Sequence, residues 1–138
     1  MKTTARNQLQ GTIQEVRKGA VNCEVILKLS GGEVITSIVT NDAAEELGLA
    51  AGKTAYAIVK ATWVLLSKGG LKMSARNTLC GKVSFIQEGA VNTEVKVSLA
   101  GGDVITAIVT NEGAKEMGIA KDQDLCAVFK ASSVILAV

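Results

Sequence analysis

The chain of 138 residues contains no histidine. That removes the commonest general base and the commonest transition-metal ligand together. Aromatic residues make up only 3%, which leaves Trp63, Tyr56, Phe85 and Phe129 as the whole supply of flat faces. Single-stranded nucleic acid is held by stacking bases on such faces along a basic groove. With 15 Lys+Arg against 13 Asp+Glu, the net charge is +2, a field too weak to point to nucleic acid or an anionic membrane. No apolar run approaches the roughly 20 residues that span a bilayer, and residues 1–8 lack the apolar core of a signal peptide, so the expected location is cytoplasmic. The sequence holds no Gly-x-x-x-x-Gly-Lys-Ser/Thr phosphate loop, no Ser/His/Asp or Cys/His pairing, and no carboxylate pair in an apolar setting. A catalyst is not expected, and neither is a direct protein–metal ligand set. Cys23, Cys80 and Cys126 share no position between the two halves described below and form no metal-ligand spacing, which reads as three reduced thiols.

What is present is a repeat. Residues 1–68 align without a gap on residues 71–138 at an offset of 70, and 31 of the 68 aligned pairs are identical. The chain is therefore two copies of one module, domain 1 at 1–68 and domain 2 at 71–138, joined by the short flexible stretch Ser67-Lys68-Gly69-Gly70. A module of this length buries too small a fraction of its surface to be more than marginally stable alone. The hydrophobic content is 48%, with a mean hydropathy of +0.31, supplied by Val, Ile, Leu and Ala rather than aromatics. That excess suits packed strands and subunit interfaces, so an oligomer is expected.

Each copy carries the same local grammar. Cys23, Val25, Leu27 and Leu29 alternate with polar residues, as do Thr93, Val95, Val97 and Leu99, which predicts a strand. The Ser30-Gly31-Gly32-Glu33 and Ala100-Gly101-Gly102-Asp103 segments predict tight hairpins into a second strand over 34–40 and its equivalent. An earlier strand over 9–16 contains Gly11, mirrored by Gly81, which predicts a bend or bulge there. Asn41 and Asn111 are expected to cap short helices that end at Gly48 and Gly118. Two further apolar runs follow, 55–59 and 63–66, with Trp63 taken as a packing residue. The order β-β-β-α-β-β in each copy predicts an all-β chain of two tandem OB-like five-stranded β-barrels, each with one short helix.

Both copies also repeat a set of hydrogen-bond donors. Thr4, Ala5, Arg6 and Asn7 precede the first strand, Ala20 and Val21 lie in the Gly-Ala-Val-Asn turn after it, and Lys60, Ala61 and Thr62 separate the last two runs. The second copy supplies Ser74, Ala75, Arg76 and Asn77, then Ala90 and Val91, then Lys130, Ala131 and Ser132. Irregular-backbone N–H groups, a hydroxyl and a fixed cation are what a small oxyanion needs. The Arg6 and Arg76 side chains stand open between that role and an ion pair with a neighbouring acid.

Taken together, Thr4/Ser74-Ala-Arg-Asn, Gly-Ala-Val-Asn, Gly-Gly-x-Val-Ile-Thr, Val-Thr-Asn and Lys-Ala-Thr62/Ser132 resemble the Mop module, a TOBE-like molybdenum-pterin-binding domain. Two in tandem resemble a di-Mop molbindin over nearly the whole chain. The resemblance implies an OB-like fold, a homotrimer of two-module chains, and molybdate or tungstate bound reversibly between modules for molybdenum storage and homeostasis. Thr4 departs from the usual Ser yet keeps the hydroxyl, while Trp63 opposite Ser133 makes the two copies unequal. Molybdate at neutral pH is a tetrahedral dianion without a proton, so a pocket made only of donors suits it. A pterin ring would find little to stack on in so aromatic-poor a chain. The competing readings are a molybdate-sensing regulatory module acting through a separate partner and an OB-fold nucleic-acid binder.

Overall fold

The computed structural model describes residues 3–138. Its strands are β1 (Asn7–Lys18), β2 (Asn22–Leu29), β3 (Val34–Thr40), β4 (Thr54–Val59) and β5 (Leu65–Ser67), followed by β6 (Asn77–Glu88), β7 (Asn92–Ser98), β8 (Val104–Thr110), β9 (Asp124–Phe129) and β10 (Ile135–Ala137). Helix α1 (Asn41–Leu47) lies between β3 and β4, and α2 (Asn111–Met117) between β8 and β9. The chain is mostly β, as the alternation of apolar and polar residues implies. Val25, Leu27 and Ile35, with Val95, Val97 and Ile105, are fully buried on the inner faces.

The halves are not independent barrels side by side. One sheet runs β10-β4-β1-β2-β3 and the other β5-β9-β6-β7-β8, so each half completes its sheet with the last strand of the other. Leu65, Leu66 and Ser67 pair with Val128, Ala127 and Cys126, while Ile135, Leu136 and Ala137 pair with Ile58, Ala57 and Tyr56. The Ser37 hydroxyl donates to the Val134 carbonyl at 2.8 Å, fastening β3 to the segment that leads into the exchanged β10. The 67–70 stretch therefore starts from a strand already seated in the second half, and Gly69 and Gly70 take it onward at φ 89° and 83°.

Three local expectations shift. The bulge in β1 falls between Ile13 and Glu15, and its equivalent between Val83 and Phe85, not at Gly11 and Gly81. Those glycines answer to a close approach instead, because a Cβ on Gly11 would sit 2.6 Å from the Lys28 carbonyl oxygen and one on Gly81 would sit 2.1 Å from that of Ser98. The helix caps are Thr40 and Thr110, whose hydroxyls accept from the Ala43 and Gly113 N–H groups, one residue before the expected asparagines. Asn41 and Asn111 begin the helices, and their side chains donate to the Gly19 and Gly89 carbonyls, each at 3.0 Å. They brace the Gly-Ala-Val-Asn turns rather than the helix ends. Finally, Cys80 and Cys126 form a disulfide, so two of the three thiols expected to be reduced are oxidised in this structure. They sit directly opposite each other on β6 and β9, a neighbourhood that their separation of 46 residues conceals. Cys23 remains free and buried.

Candidate functional site

β1 and β4 run antiparallel with Asn7 opposite Val59, which sets the segment entering β1 beside the segment leaving β4. The result is a cleft of about 410 Å³ lined by Thr4, Ala5, Arg6, Lys60, Ala61, Thr62 and, from the other half, Ile108. Two of the three expected donor segments thus meet, with a β8 residue of the other half in the wall. In the second half Asn77 stands opposite Phe129, which brings residues 74–76 alongside 130–132 in the same way.

The turns at 60–63 and 130–133 are single 3-10 turns in which the Trp63 and Ser133 N–H groups donate to the Lys60 and Lys130 carbonyls at 2.9 and 3.0 Å. Ala61 and Ala131 are buried and anchor these turns, whereas Lys60, Thr62, Lys130 and Ser132 are exposed. Among the described residues neither lysine forms an ion pair, so both ammonium groups are available to an anion. The Lys60 ammonium lies 5.2 Å from the centroid of the Trp63 ring. Trp63 is 44% exposed, so it flanks the turn instead of filling a core.

The arginines are engaged elsewhere. Arg6 pairs with Glu94 of the other half, and Arg76 reciprocally with Glu24 at 2.5 Å. Their guanidinium groups tie the halves together on the rim of the cleft, and any further contact must use donors left over from these pairs. Asn7 and Asn77 are buried, and both of their carboxamides are committed to strands of the other half. Asn7 donates to the Thr106 carbonyl at 2.8 Å and accepts from its N–H at 2.7 Å, while Asn77 does the same with Thr36. Their side chains are therefore structural clamps. The Ala5 N–H is also taken, donating to the Thr3 hydroxyl at 3.0 Å.

Ala20, Val21, Ala90 and Val91 are not brought into this cleft. They follow the far ends of the twelve-residue strands β1 and β6, where Val21 and Val91 project at 71% and 72% exposure. Within a single chain they form a second surface, distinct from the one made by 4–6 and 60–62. The inter-half clamps of Asn7 and Asn77 were the feature that residue spacing missed. The only sequence signal for them is the identity of the asparagine at equivalent positions in both copies.

Residues able to hold a metal ion directly are not grouped anywhere among the described residues. No helix is long and apolar enough to cross a membrane. The chemistry on offer in the cleft is hydroxyl, ammonium and backbone donors beside a neutralised arginine–glutamate pair.

Comparison with known proteins agrees with this architecture. The molybdenum transport protein ModE of Azotobacter vinelandii is 45% identical over 139 residues, covering 100% of this chain and 52% of its own length. The molybdenum-pterin-binding protein MopA of Rhodobacter capsulatus is 42% identical over 139 residues, covering 99% of this chain and 52% of its own. The chain thus spans about half the length of these curated relatives. A crystal structure of the cytoplasmic molybdate-binding protein ModG with molybdate bound superposes with a TM-score of 0.97 at 48% identity, covering 100% of this chain and 99% of that one. Residues 3–66 and 73–136 each match the TOBE domain, and the chain accordingly belongs to the TOBE-domain family, with two copies of the domain in tandem.

Proposed function

We propose that this chain binds molybdate or tungstate reversibly and serves intracellular molybdenum storage and homeostasis. The observation that carries the reading is the meeting of residues 4–6 with 60–62 in one cleft, on a chain 48% identical along its whole length to a protein that holds molybdate. Lys60 supplies the positive charge, and Thr4 and Thr62 supply hydroxyl donors, with Lys130, Ser74 and Ser132 as their equivalents. A dianion without a proton accepts from all of these and has nothing to donate. A hydrogen phosphate would bring a proton that such a donor set leaves unpaired. Nothing in this role requires bond making or breaking, so the protein acts as a carrier, not a catalyst.

The proposal includes a homotrimer in the cytoplasm. Val21 and Val91 are loop-tip valines exposed to solvent in the single chain, and association would cover them while bringing the Ala20–Val21 and Ala90–Val91 backbone to neighbouring copies. A regulatory role is the second reading. It is favoured by one fact, that the chain matches about half of a ModE protein, and it would act on molybdate through the same clefts and a separate partner.

Titration calorimetry with molybdate, tungstate, sulfate and phosphate, alongside metal analysis of the purified protein, tests the proposal. Molybdate and tungstate are expected to bind far more tightly than phosphate, with several ions per oligomer. The double variant K60M/K130M is expected to lose most of that uptake while keeping its fold by circular dichroism. Undiminished uptake by that variant would remove the assignment. Oligonucleotide binding with no oxyanion heat would move the protein to the nucleic-acid class.

A further inference from the structure

Around the candidate clefts the two copies exchange one hydroxyl for another at Thr4/Ser74 and Thr62/Ser132, and they differ in kind where Trp63 in the first stands opposite Ser133 in the second. The 60–63 turn closes with the Trp63 N–H donating to the Lys60 carbonyl at 2.9 Å, and the Lys60 ammonium lies over the Trp63 ring, 5.2 Å from its centroid. The same turn closes at 130–133, with the Ser133 N–H donating to the Lys130 carbonyl at 3.0 Å, but a serine offers no ring and Lys130 is left without one.

We propose that Trp63 is a positioning residue for oxyanion binding in the first cleft, holding the Lys60 ammonium over its ring, so that the two clefts of each chain differ in affinity. This rests on the reading of Lys60 and Lys130 as anion-binding groups. A free lysine on a surface turn samples many rotamers, and fixing it upon binding costs conformational entropy. The indole face restricts those rotamers before the anion arrives, and tryptophan is the best of the aromatic faces for a cation. A cation resting on a ring keeps N–H donors directed away from it, and these remain free for a dianion. The ring itself is absent from the lining of the cleft, so its effect passes through the lysine.

Alternative explanations for the tryptophan are weaker. It is 44% exposed, which a core-filling role does not require. Its loss should therefore leave the fold standing, which makes it a clean site for substitution.

The experiment is molybdate calorimetry and tryptophan emission on the full chain, in a K130M background that leaves the first cleft as the tight one. Replacing Trp63 by Leu keeps an apolar side chain and removes the ring, while Phe restores a weaker face. The expected result is a two- to five-fold loss of affinity for W63L, roughly the size of an exposed cation–π contact, with W63F in between and thermal stability little changed. Trp63 is the sole tryptophan, so molybdate added to K130M should shift its emission, and K60M should shift it without any ligand. In the opposite direction, S133W on a K60M background should tighten the second cleft. Equal molybdate affinity of W63L and its parent, or loss to the same extent in W63F as in W63L, would overturn the proposal. If K60M costs no affinity at all, the prior assignment of Lys60 fails instead, and the two failures are thereby distinguished.

Discussion

Asn7 and Thr106 clasp one another across the two halves through a pair of reciprocal hydrogen bonds, from the Asn7 amide to the Thr106 carbonyl at 2.8 Å and from the Thr106 N–H to the Asn7 carboxamide oxygen at 2.7 Å. Both residues are buried. The clasp does the work that a neighbouring strand would do, satisfying an edge residue of β8 with a side chain. Asn7→Ala would leave a buried N–H and a buried C=O without partners, each costing about 1–3 kcal/mol. The expected destabilisation is roughly 2–4 kcal/mol by urea denaturation. The equivalent Asn77→Ala should cost less, because Thr36 is only partly buried. A cost near zero for Asn7→Ala would mean that water replaces the lost partners, and equal costs would mean that the partial burial of Thr36 makes no difference.

The hairpins of the two halves touch at Gly31 and Gly101. A Cβ added to either glycine would fall 2.3 Å from the Cα of the other, so the requirement at these positions is close approach. Gly32 and Gly102 instead take φ of 95° and 100°, which a side chain adopts only with strain. Gly31→Ala should therefore push the hairpins apart and cost about 1–3 kcal/mol, as overpacking does. The measurement that separates this from a turn defect is a double-mutant comparison. Because both alanines would relieve the same contact once the hairpins part, Gly31→Ala with Gly101→Ala should cost less than the sum of the two.

These contacts mark where sequence reasoning runs out. The alternation in residues 23–29, the Gly-Gly hairpins and the helix ending at Gly48 are local, and each is written in a few neighbouring residues. The exchange of β5 and β10 is not. Leu65–Ser67 could pair with β4 or with its counterpart β9, since Ile58-Ala57-Tyr56 and Val128-Ala127-Cys126 offer apolar partners in the same register, so the alternation does not choose between the two pairings. The long-range clasps share that property, since nothing in the spacing of Asn7 points to a residue 99 positions away. The grouping of residues 4–6 with 60–62 was legible because β1 and β4 are adjacent in an OB-like order. The separation of Ala20–Val21 from that group depends on how long and bent β1 is, which alternation alone does not fix.

Cys80 and Cys126 close a covalent link between β6 and β9, and Cys126 also stands opposite Ser67 of the exchanged strand β5. The link spans 46 residues of chain, and on the chain-entropy account such a bridge stabilises by about 2–4 kcal/mol. Dithiothreitol should lower the melting temperature of the wild type and leave that of C80S unchanged. The C80S variant should match the reduced wild type. A wild type insensitive to reductant would indicate that the two cysteines are not joined in solution.

Glu33 and Asp103, the acids that follow the Gly-Gly pairs, lie at the contact of the two hairpins, where the Gly101 N–H donates to a Glu33 carboxylate oxygen at 3.1 Å. One oxygen of each carboxylate, Oε1 of Glu33 and Oδ2 of Asp103, is buried without a partner. Burial raises the Asp103 pKa above 3.8, and the nearby Glu33 charge raises it further. The native state then holds the Asp103 proton to a higher pH than the unfolded chain does. Between the unfolded and folded pKa values the native state binds more protons, so this group's contribution to stability falls as pH rises through that window and stays low above it. D103N keeps the shape and removes the charge, so it should gain stability relative to wild type at pH 8 and lose that advantage as pH approaches 3.8. Denaturant titrations of both proteins at several pH values measure the difference directly, and a variant less stable than wild type at pH 8 would show that the ionised Asp103 makes a favourable contact instead.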